Sequence, residues 1–290
     1  LQRAEAGLRR IRALLGTPSK LDARGDRRLP SGPLTVCLEN VTFAYEASPT
    51  GHDERGDAEA VVALCDVSIE VPAGVTLGLL GRTGSGKSTL ARLVARLYDC
   101  QKGAVLVGGR SVADVPLSHL RGRVRLVSQE VQVFRASVRE NVRLFDPSVS
   151  DATILAALDE LGLREWVLAL PSGLDTVIGA AGSGLSAGQG QLLALARTFL
   201  ADPGIIILDE ASSRLDPATE ALLERAVDRL LAGRTSIIIA HRLSTVRRAD
   251  RIVILENGRI VEAGEREALC LDSSSHLSRL LAAGMEEVLV

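Results

Sequence analysis

Short, mainly apolar runs that end abruptly at a glycine or a polar residue recur along this chain. Residues 76–80, 125–128, 205–208 and 236–240 each form such a run, and 205–208 contains no polar side chain. Runs of this kind are typical of parallel strands that are buried on both faces. Helical periodicity lies between several of them, which indicates an α/β fold.

Two of the connections between these runs have apolar residues at helical spacing. One follows the first run, over residues 90–97. The other extends from residue 138 to about 170, where Ile154 and Leu158 share a face that Gly162 ends. This second region predicts an α-rich insertion between strands of the sheet.

Alternating apolar and polar residues predict a different kind of strand near the N-terminus and a hairpin near the C-terminus. Residues 36–45 and 67–71 are predicted to be extended, and residues 46–60 form a polar, exposed loop between them. Asn257-Gly258 separates two short apolar segments and suits a type I′ turn. The tail from Glu265 has helical spacing.

The first apolar run leads into a candidate phosphate-binding loop, residues 81–89, which fits the pattern G-x-x-x-x-G-K-[ST]. Gly84 and Gly86 would let successive backbone N–H groups point at one anion, and the following helix adds its partial positive charge. Lys87 would reach the outer phosphates and Ser88 would hold Mg²⁺. The chain is therefore predicted to bind a nucleoside triphosphate through Gly81, Arg82, Thr83, Gly84, Ser85, Gly86, Lys87, Ser88 and Thr89.

Chemically useful residues also follow the other apolar runs. Gln129 comes after the second run, Asp209 and Glu210 after the third, and His241 after the fourth. Because ligands of open parallel sheets bind at the carboxyl ends of the strands, we expect these residues to meet Gly81 at one edge.

A second helix start is flanked by glycines. Ser186-x-x-Gln189 has the form of a capping box, and an apolar helical pattern follows it. Locally this predicts only a capped helix. A second glycine-flanked helix start is nevertheless a second potential anion site, beyond what one nucleotide needs.

Composition narrows the function class. The net charge of −2 does not favour a nucleic-acid partner, and the four cysteines form no C-x-x-C metal pattern. No apolar run reaches the roughly 20 residues that a bilayer requires. Residues 1–28 carry eight basic and three acidic groups, which fits either a segment leaving a membrane span or a solvated amphipathic helix. The chain begins with Leu, which is compatible with a fragment.

In this order, the motifs resemble the nucleotide-binding domain of ATP-binding cassette (ABC) transporters over about residues 34–282. The phosphate-binding loop matches Walker A, residues 205–209 match Walker B, and residues 185–189 match the signature motif. The remaining matches are Gln129 (Q-loop), Glu210 (catalytic glutamate), residues 213–216 (D-loop), His241 (switch histidine) and Tyr45 (adenine stacking).

The resemblance implies a P-loop NTPase core with a mainly parallel sheet, an antiparallel β subdomain and an α-helical signature subdomain at about 130–200. Residues 1–30 would be a basic helix and linker leaving a transmembrane domain, and residues 31–290 the nucleotide-binding domain. The implied ligands are ATP and Mg²⁺, at the cytoplasmic face of a bacterial inner or plasma membrane. No nucleic acid is implied.

The resemblance also implies that two such domains pack head to tail around two ATP molecules, in a homodimer or a heterodimer. Ser186, Gly188 and Gln189 of one domain would face the phosphate-binding loop of the other. Lys87 would hold phosphates, and Ser88, Gln129 and Asp209 would hold Mg²⁺. Glu210 would polarise the attacking water, and His241 would contact the γ-phosphate.

Departures from the family pattern leave alternatives open. Ala187 replaces a signature glycine, and Gly190 stands where a basic residue is common. One alternative is a catalytically weak partner in a heterodimeric transporter. The other is a non-transport ABC ATPase of DNA repair, chromosome structure or translation, although this chain has neither a long coiled coil nor a second cassette.

Overall fold

Two β-sheets organise the chain, one mainly parallel and one antiparallel. The computed structural model describes residues 2–16, 21, 25–46, 61–128, 131–179, 184–209, 216–240 and 243–283. The strands are β1 (Val36–Tyr45), β2 (Val61–Val71), β3 (Thr76–Leu80), β4 (Lys102–Val107), β5 (Arg110–Ser111), β6 (Val124–Val127), β7 (Ile205–Asp209), β8 (Thr235–Ile239), β9 (Arg251–Glu256) and β10 (Arg259–Glu265).

The larger sheet has the strand order β10-β9-β3-β8-β7-β6. All neighbouring pairs in it are parallel except β10 with β9, which form the predicted hairpin. Asn257 and Gly258 in its turn both have positive φ angles, of 48° and 75°. The smaller sheet has the order β2-β1-β4-β5 and is antiparallel throughout. The predicted combination of a mainly parallel core and an antiparallel β subdomain is confirmed.

Helices fill the connections between the strands. They are α1 (Gln2–Gly16), α2 (Lys87–Val94), α3 (Leu117–Arg123), α4 (Val138–Arg143), α5 (Asp151–Glu160), α6 (Arg164–Leu168), α7 (Ala187–Leu200), α8 (Pro217–Leu231), α9 (Leu243–Arg248), α10 (Arg266–Leu271) and α11 (His276–Ala282). Helices α4 to α7 form the predicted α-helical insertion between β6 and β7.

Side-chain caps set where several of these helices begin. A Ser or Asp side chain accepts a hydrogen bond from the backbone N–H three residues later in each case, as helix N-caps do. The capping residues are Ser137, Ser150, Ser186, Asp216 and Ser275.

Alternation along the central strands separates two hydrophobic cores. Ile205, Ile207 and Ile237 pack with α2 and the antiparallel sheet, whereas Ile206 and Ile238 pack with the α-helical insertion and α8. Successive side chains of a strand point to opposite faces, so these runs are buried on both sides. The larger sheet thus lies between two packed layers.

The N-terminal helix α1 ends at Gly16. No helix in the described ranges is long and apolar enough to cross a bilayer.

Candidate nucleotide-binding site

Four neighbouring parallel strands, β3, β8, β7 and β6, end at the same edge of the larger sheet. Gly81 directly follows β3, and Asp209 is the last residue of β7. The ends of β6 and β8 lead towards Gln129 and His241, which lie outside the described residues together with Glu210. These four strand ends share one edge, whereas the meeting of Gln129, Glu210 and His241 with Gly81 there stays a prediction.

The phosphate-binding loop is held tightly against its surroundings. Gly81 has a φ of 138°, and a Cβ atom there would lie 2.1 Å from the carbonyl oxygen of Leu255. Gly86 has a φ of 106°, and its Cβ would lie 2.6 Å from the carbonyl oxygen of Ala63. Gly84, with a φ of 81°, has open space beside it. Glycine is required at the first two positions by both conformation and contact.

The Lys87 side chain is hydrogen-bonded to the backbone of this loop. The side chain is buried, and its Nζ donates hydrogen bonds to the carbonyl oxygens of Gly81 and Arg82. Burial lowers the pKa of Lys87, and the carboxylate of Asp209 acts in the opposite direction. The cation is therefore fixed at the loop, with its charge poorly solvated. That is the arrangement a phosphate binder needs.

Ser88 and Asp209 meet beside Lys87. The Ser88 hydroxyl donates to Oδ2 of Asp209 over 3.4 Å, which joins the first turn of α2 to the end of β7. Hydroxyl and carboxylate oxygens suit Mg²⁺, which usually takes only one or two protein ligands alongside phosphates and water. The described ranges contain no cluster of three His, Cys, Asp or Glu side chains able to hold a metal.

Tyr45 lies next to the same helix. Its hydroxyl is 3.1 Å from Oγ1 of Thr89, in the first turn of α2. The structure thus brings the predicted adenine-stacking residue to the phosphate-binding segment. Base stacking itself stays a prediction.

The signature segment, residues 185–189, begins α7 with the predicted capping box. The Ser186 hydroxyl accepts from the backbone N–H of Gln189 at 3.2 Å, and Oε1 of Gln189 accepts from the backbone N–H of Ser186 at 3.0 Å. Ser186 is exposed, whereas Gly188 is buried. No phosphate-binding residue of this chain is in hydrogen-bond contact with the segment within the described ranges.

An arginine that sequence reasoning missed ties α7 to the segment that follows the second apolar run. The Arg197 guanidinium donates to the backbone oxygens of Asn141 and Gln132 and to Oδ1 of Asn141. Asn141 in turn exchanges hydrogen bonds with the backbone of Phe134. The available signal was an arginine within the apolar stripe of α7.

Gly258 was predicted only as a turn residue, yet it supports the phosphate-binding loop. Its backbone N–H donates to the carbonyl of Ser85 at 3.1 Å, and its carbonyl accepts from the N–H of Cys65 at 2.8 Å. The hairpin turn therefore links the antiparallel sheet to the loop. Sequence pattern contains no signal for such a contact.

Comparison with known proteins points to one family. Residues 64–213 match the family model described as ABC transporter. The chain is 42% identical over 286 residues to a multidrug efflux ATP-binding/permease protein of Mycobacterium bovis, covering 97% of this chain and 22% of that protein. It is 39% identical over 269 residues to an ATP-dependent lipid A-core flippase of Chromobacterium violaceum, covering 93% of this chain and 44% of that protein.

A solved structure gives the same picture. A bacterial Atm1-family ABC exporter with ATP bound matches with a TM-score of 0.79 and 30% sequence identity, covering 97% of this chain and 47% of that one. The chain thus spans less than half the length of each of these three proteins.

Proposed function

The chain belongs to the ABC transporter family as an exporter-type nucleotide-binding domain, and from this premise we propose that it hydrolyses Mg·ATP to drive a substrate across a membrane. Domains of this family bind ATP. The metal, the individual residue roles and the coupling to transport are our proposal. The observation that carries it is the pairing of a phosphate-binding loop, whose helix α2 begins without a side-chain cap, with a second, exposed helix start at α7.

Phosphate binding is assigned to the loop and to Lys87. Phosphoryl transfer asks a protein mainly for positioning and for stabilisation of charge. Lys87 is already fixed by the carbonyls of Gly81 and Arg82, and α2 begins with no side-chain cap. Anionic oxygens would therefore meet a fixed cation and the partial positive charge of a helix N-terminus.

The metal is assigned to Ser88 and Asp209, with Gln129 as a further ligand on sequence grounds. When bound, Mg²⁺ would neutralise negative charge on the phosphates. The contact between Ser88 and Asp209 supports the assignment because it places both oxygens beside Lys87. Glu210 is assigned to polarising water and His241 to the γ-phosphate, from their places after β7 and β8.

The signature segment is proposed to complete the site of a second copy or a related domain. Its capping box satisfies the first turn of α7 internally while leaving Ser186 exposed. Head-to-tail packing would bring Ser186, Gly188 and Gln189 to the partner's phosphates. Each site would then draw residues from two chains.

The membrane partner is proposed to be a transmembrane domain of the same polypeptide. The relatives in Mycobacterium bovis and Mycobacterium tuberculosis are named ATP-binding/permease proteins, and this chain spans 22% of each. Residues 1–30 would connect the two parts at the cytoplasmic face of the membrane. The relatives' own substrates differ, so the substrate class is left open.

Mixing two inactive variants tests shared sites directly. Ser186→Arg should bind ATP but prevent closure, because a bulky cation would fill the gap facing the partner's phosphates. Lys87→Ala should lose phosphate binding. In a mixed dimer, one site would pair an intact loop with an intact signature segment, and the other would carry both defects.

We expect ATPase activity to appear on mixing although neither variant is active alone. Glu210→Gln provides the companion measurement: it should bind ATP, stop hydrolysis and accumulate as an ATP-bound dimer in size-exclusion chromatography with light scattering. Full activity of Ser186→Arg alone would remove the signature segment from the mechanism. A parent chain that binds ATP without turning it over would favour the catalytically weak partner instead.

A further inference from the structure

Three aromatic rings gather beside α2, in a chain that has few aromatic residues. The chain contains two Tyr, four Phe and one Trp, and both tyrosines lie in this cluster. Tyr45 makes edge-to-face contacts with Phe43 and Tyr98, at centroid distances of 4.9 Å and 5.4 Å. Phe43 and Tyr98 are 5.4 Å apart. These contacts restrict where the Tyr45 ring can lie.

The hydroxyl of Tyr45 is held by two residues from one face of α2. Nη1 of Arg92 donates to it at 3.0 Å, and Oγ1 of Thr89 lies 3.1 Å from it. Thr89 and Arg92 are three residues apart and thus neighbours on the helix surface. Because a guanidinium can only donate, the phenolic oxygen accepts from Arg92, and either hydroxyl can donate in the contact with Thr89.

The Arg92 guanidinium donates to a hydroxyl group and not to a carboxylate of the described residues. It is exposed, and within the described ranges no carboxylate forms an ion pair with it. Its hydrogen bond to the Tyr45 hydroxyl is also the largest influence on the pKa of Arg92, which it raises. Within the described residues, this exposed arginine thus donates to a ring hydroxyl and forms no ion pair with a carboxylate.

We propose that Arg92 is a positioning residue that holds Tyr45 in the orientation needed to stack on the base of the nucleotide. This rests on the proposed function, in which Tyr45 stacks on adenine. With Thr89, Arg92 attaches the base-binding ring to the helix whose first turn carries Lys87 and Ser88. One helix then sets the distance between the base and the phosphates.

The proposal predicts different effects on the binding of ligands that have a base and of ligands that do not. Binding would be measured by calorimetry in the intact protein, with the Mg²⁺ complexes of the β,γ-imido analogue of ATP and of inorganic tripolyphosphate. Arg92→Met and Tyr45→Phe remove the same hydrogen bond from its two sides. Each should weaken binding of the ATP analogue about three- to tenfold, as expected for one hydrogen bond, and leave tripolyphosphate binding unchanged.

The double variant tests whether the two residues act together. Once Tyr45→Phe has removed the acceptor, Arg92→Met should have no further effect, so the double variant should bind the ATP analogue as the weaker single variant does. Arg121→Met is the matched control. It removes an exposed arginine from α3, away from Tyr45, and should bind both ligands like the parent.

Three results would overturn the proposal. Equal weakening of both ligands by Arg92→Met would mean that its charge acts on the phosphates. Unchanged binding of the ATP analogue, or additive losses in the double variant, would mean that Arg92 does not act through Tyr45. Tyr45→Ala distinguishes failure of the base-stacking role from failure of the positioning role. Unchanged affinity of Tyr45→Ala for the ATP analogue would rule out base stacking by Tyr45. Weaker binding in Tyr45→Ala but not in Arg92→Met would rule out only the positioning role of Arg92.

Discussion

Two helices of this chain begin beside glycines, and their first turns are built in opposite ways. Helix α2 begins after Gly86, which has a left-handed conformation and no side-chain cap. Helix α7 begins after Ser186, and the reciprocal capping box with Gln189 satisfies its first turn internally. The backbone N–H groups at the start of α2 thus have no side-chain cap, whereas those at the start of α7 are capped by Ser186.

The surroundings of the two helix starts also differ, in packing and in exposure. The loop before α2 is packed against the carbonyls of Leu255 and Ala63, and it holds a buried cation. Before α7, a Cβ atom added at Gly184 would have no heavy atom within 4 Å, and Ser186 is exposed. The first region holds its proposed phosphate-binding residues within one chain. The second has the features of half a site, whose other half would come from a partner.

The largest expected effect is the loss of phosphate binding in Lys87→Ala. The variant removes a buried, hydrogen-bonded cation from the first helix start, and Mg·ATP affinity should fall at least about 30-fold. Calorimetric titration measures the change. Lys102→Ala is the matched control, because Lys102 is exposed at the start of β4 and should be dispensable. Equal affinities in the two variants would contradict the comparison.

The tight packing of the first helix start predicts a contrast between two of its glycines. Gly81→Ala should lower the free energy of unfolding by about 3 kcal/mol or more, because it combines a strained backbone with a backbone clash. Gly84→Ala should cost only about 1–2 kcal/mol, since its left-handed φ is strained but its surroundings are open. Urea denaturation without ligand gives both values. Similar losses of unfolding free energy in the two variants would show that contact with Leu255 does not constrain the loop at Gly81.

At the second helix start, stability and function should separate. Ser186→Ala removes a helix cap and should cost about 1 kcal/mol, while ATP still binds to the isolated chain. Ser150→Ala removes the equivalent cap of α5 and should cost about the same. ATPase activity should fall only in Ser186→Ala. A matching fall in Ser150→Ala would mean that loss of stability, not loss of a partner contact, explains both.

Much of the core architecture could be predicted because its signals are local. The runs that became β3, β7 and β8 are mainly apolar and end at the sheet edge, and their bounds were predicted to within one or two residues. Strand β2 is different: it begins at Val61, six residues before the predicted start. Its first residue, exposed Val61, pairs with Tyr45 of β1, so the partner strand extends it.

The residues around the site that could not be predicted meet over long stretches of sequence. Arg92 contacts Tyr45 across 47 positions, and Arg197 contacts Asn141 across 56. Such contacts depend on how α2 and α7 pack, which periodicity does not specify. The catalytic assignments of Gln129, Glu210 and His241 rest on sequence alone, because those residues lie outside the described ranges.

The smallest expected effect is a gain in stability from Gly190→Ala, in the second turn of α7. A helical glycine costs about 0.5–1 kcal/mol relative to alanine. Gly190 has no positive φ, and a Cβ there would meet only Cγ2 of Val133, at an ordinary 3.9 Å. Thermal unfolding should therefore show a gain of about that size, and Gly122→Ala in α3, with nothing near its Cβ, should show a similar one.

Activity then decides why α7 has a glycine at this position. If Gly190→Ala stabilises the chain and leaves both ATP binding and hydrolysis unchanged, the glycine only lowers the stability of α7 and has no role in activity. If hydrolysis falls while ATP binding and the Gly122→Ala control stay at parent levels, the second turn of α7 must allow close approach of a partner. A loss of stability in Gly190→Ala would contradict the packing described for α7.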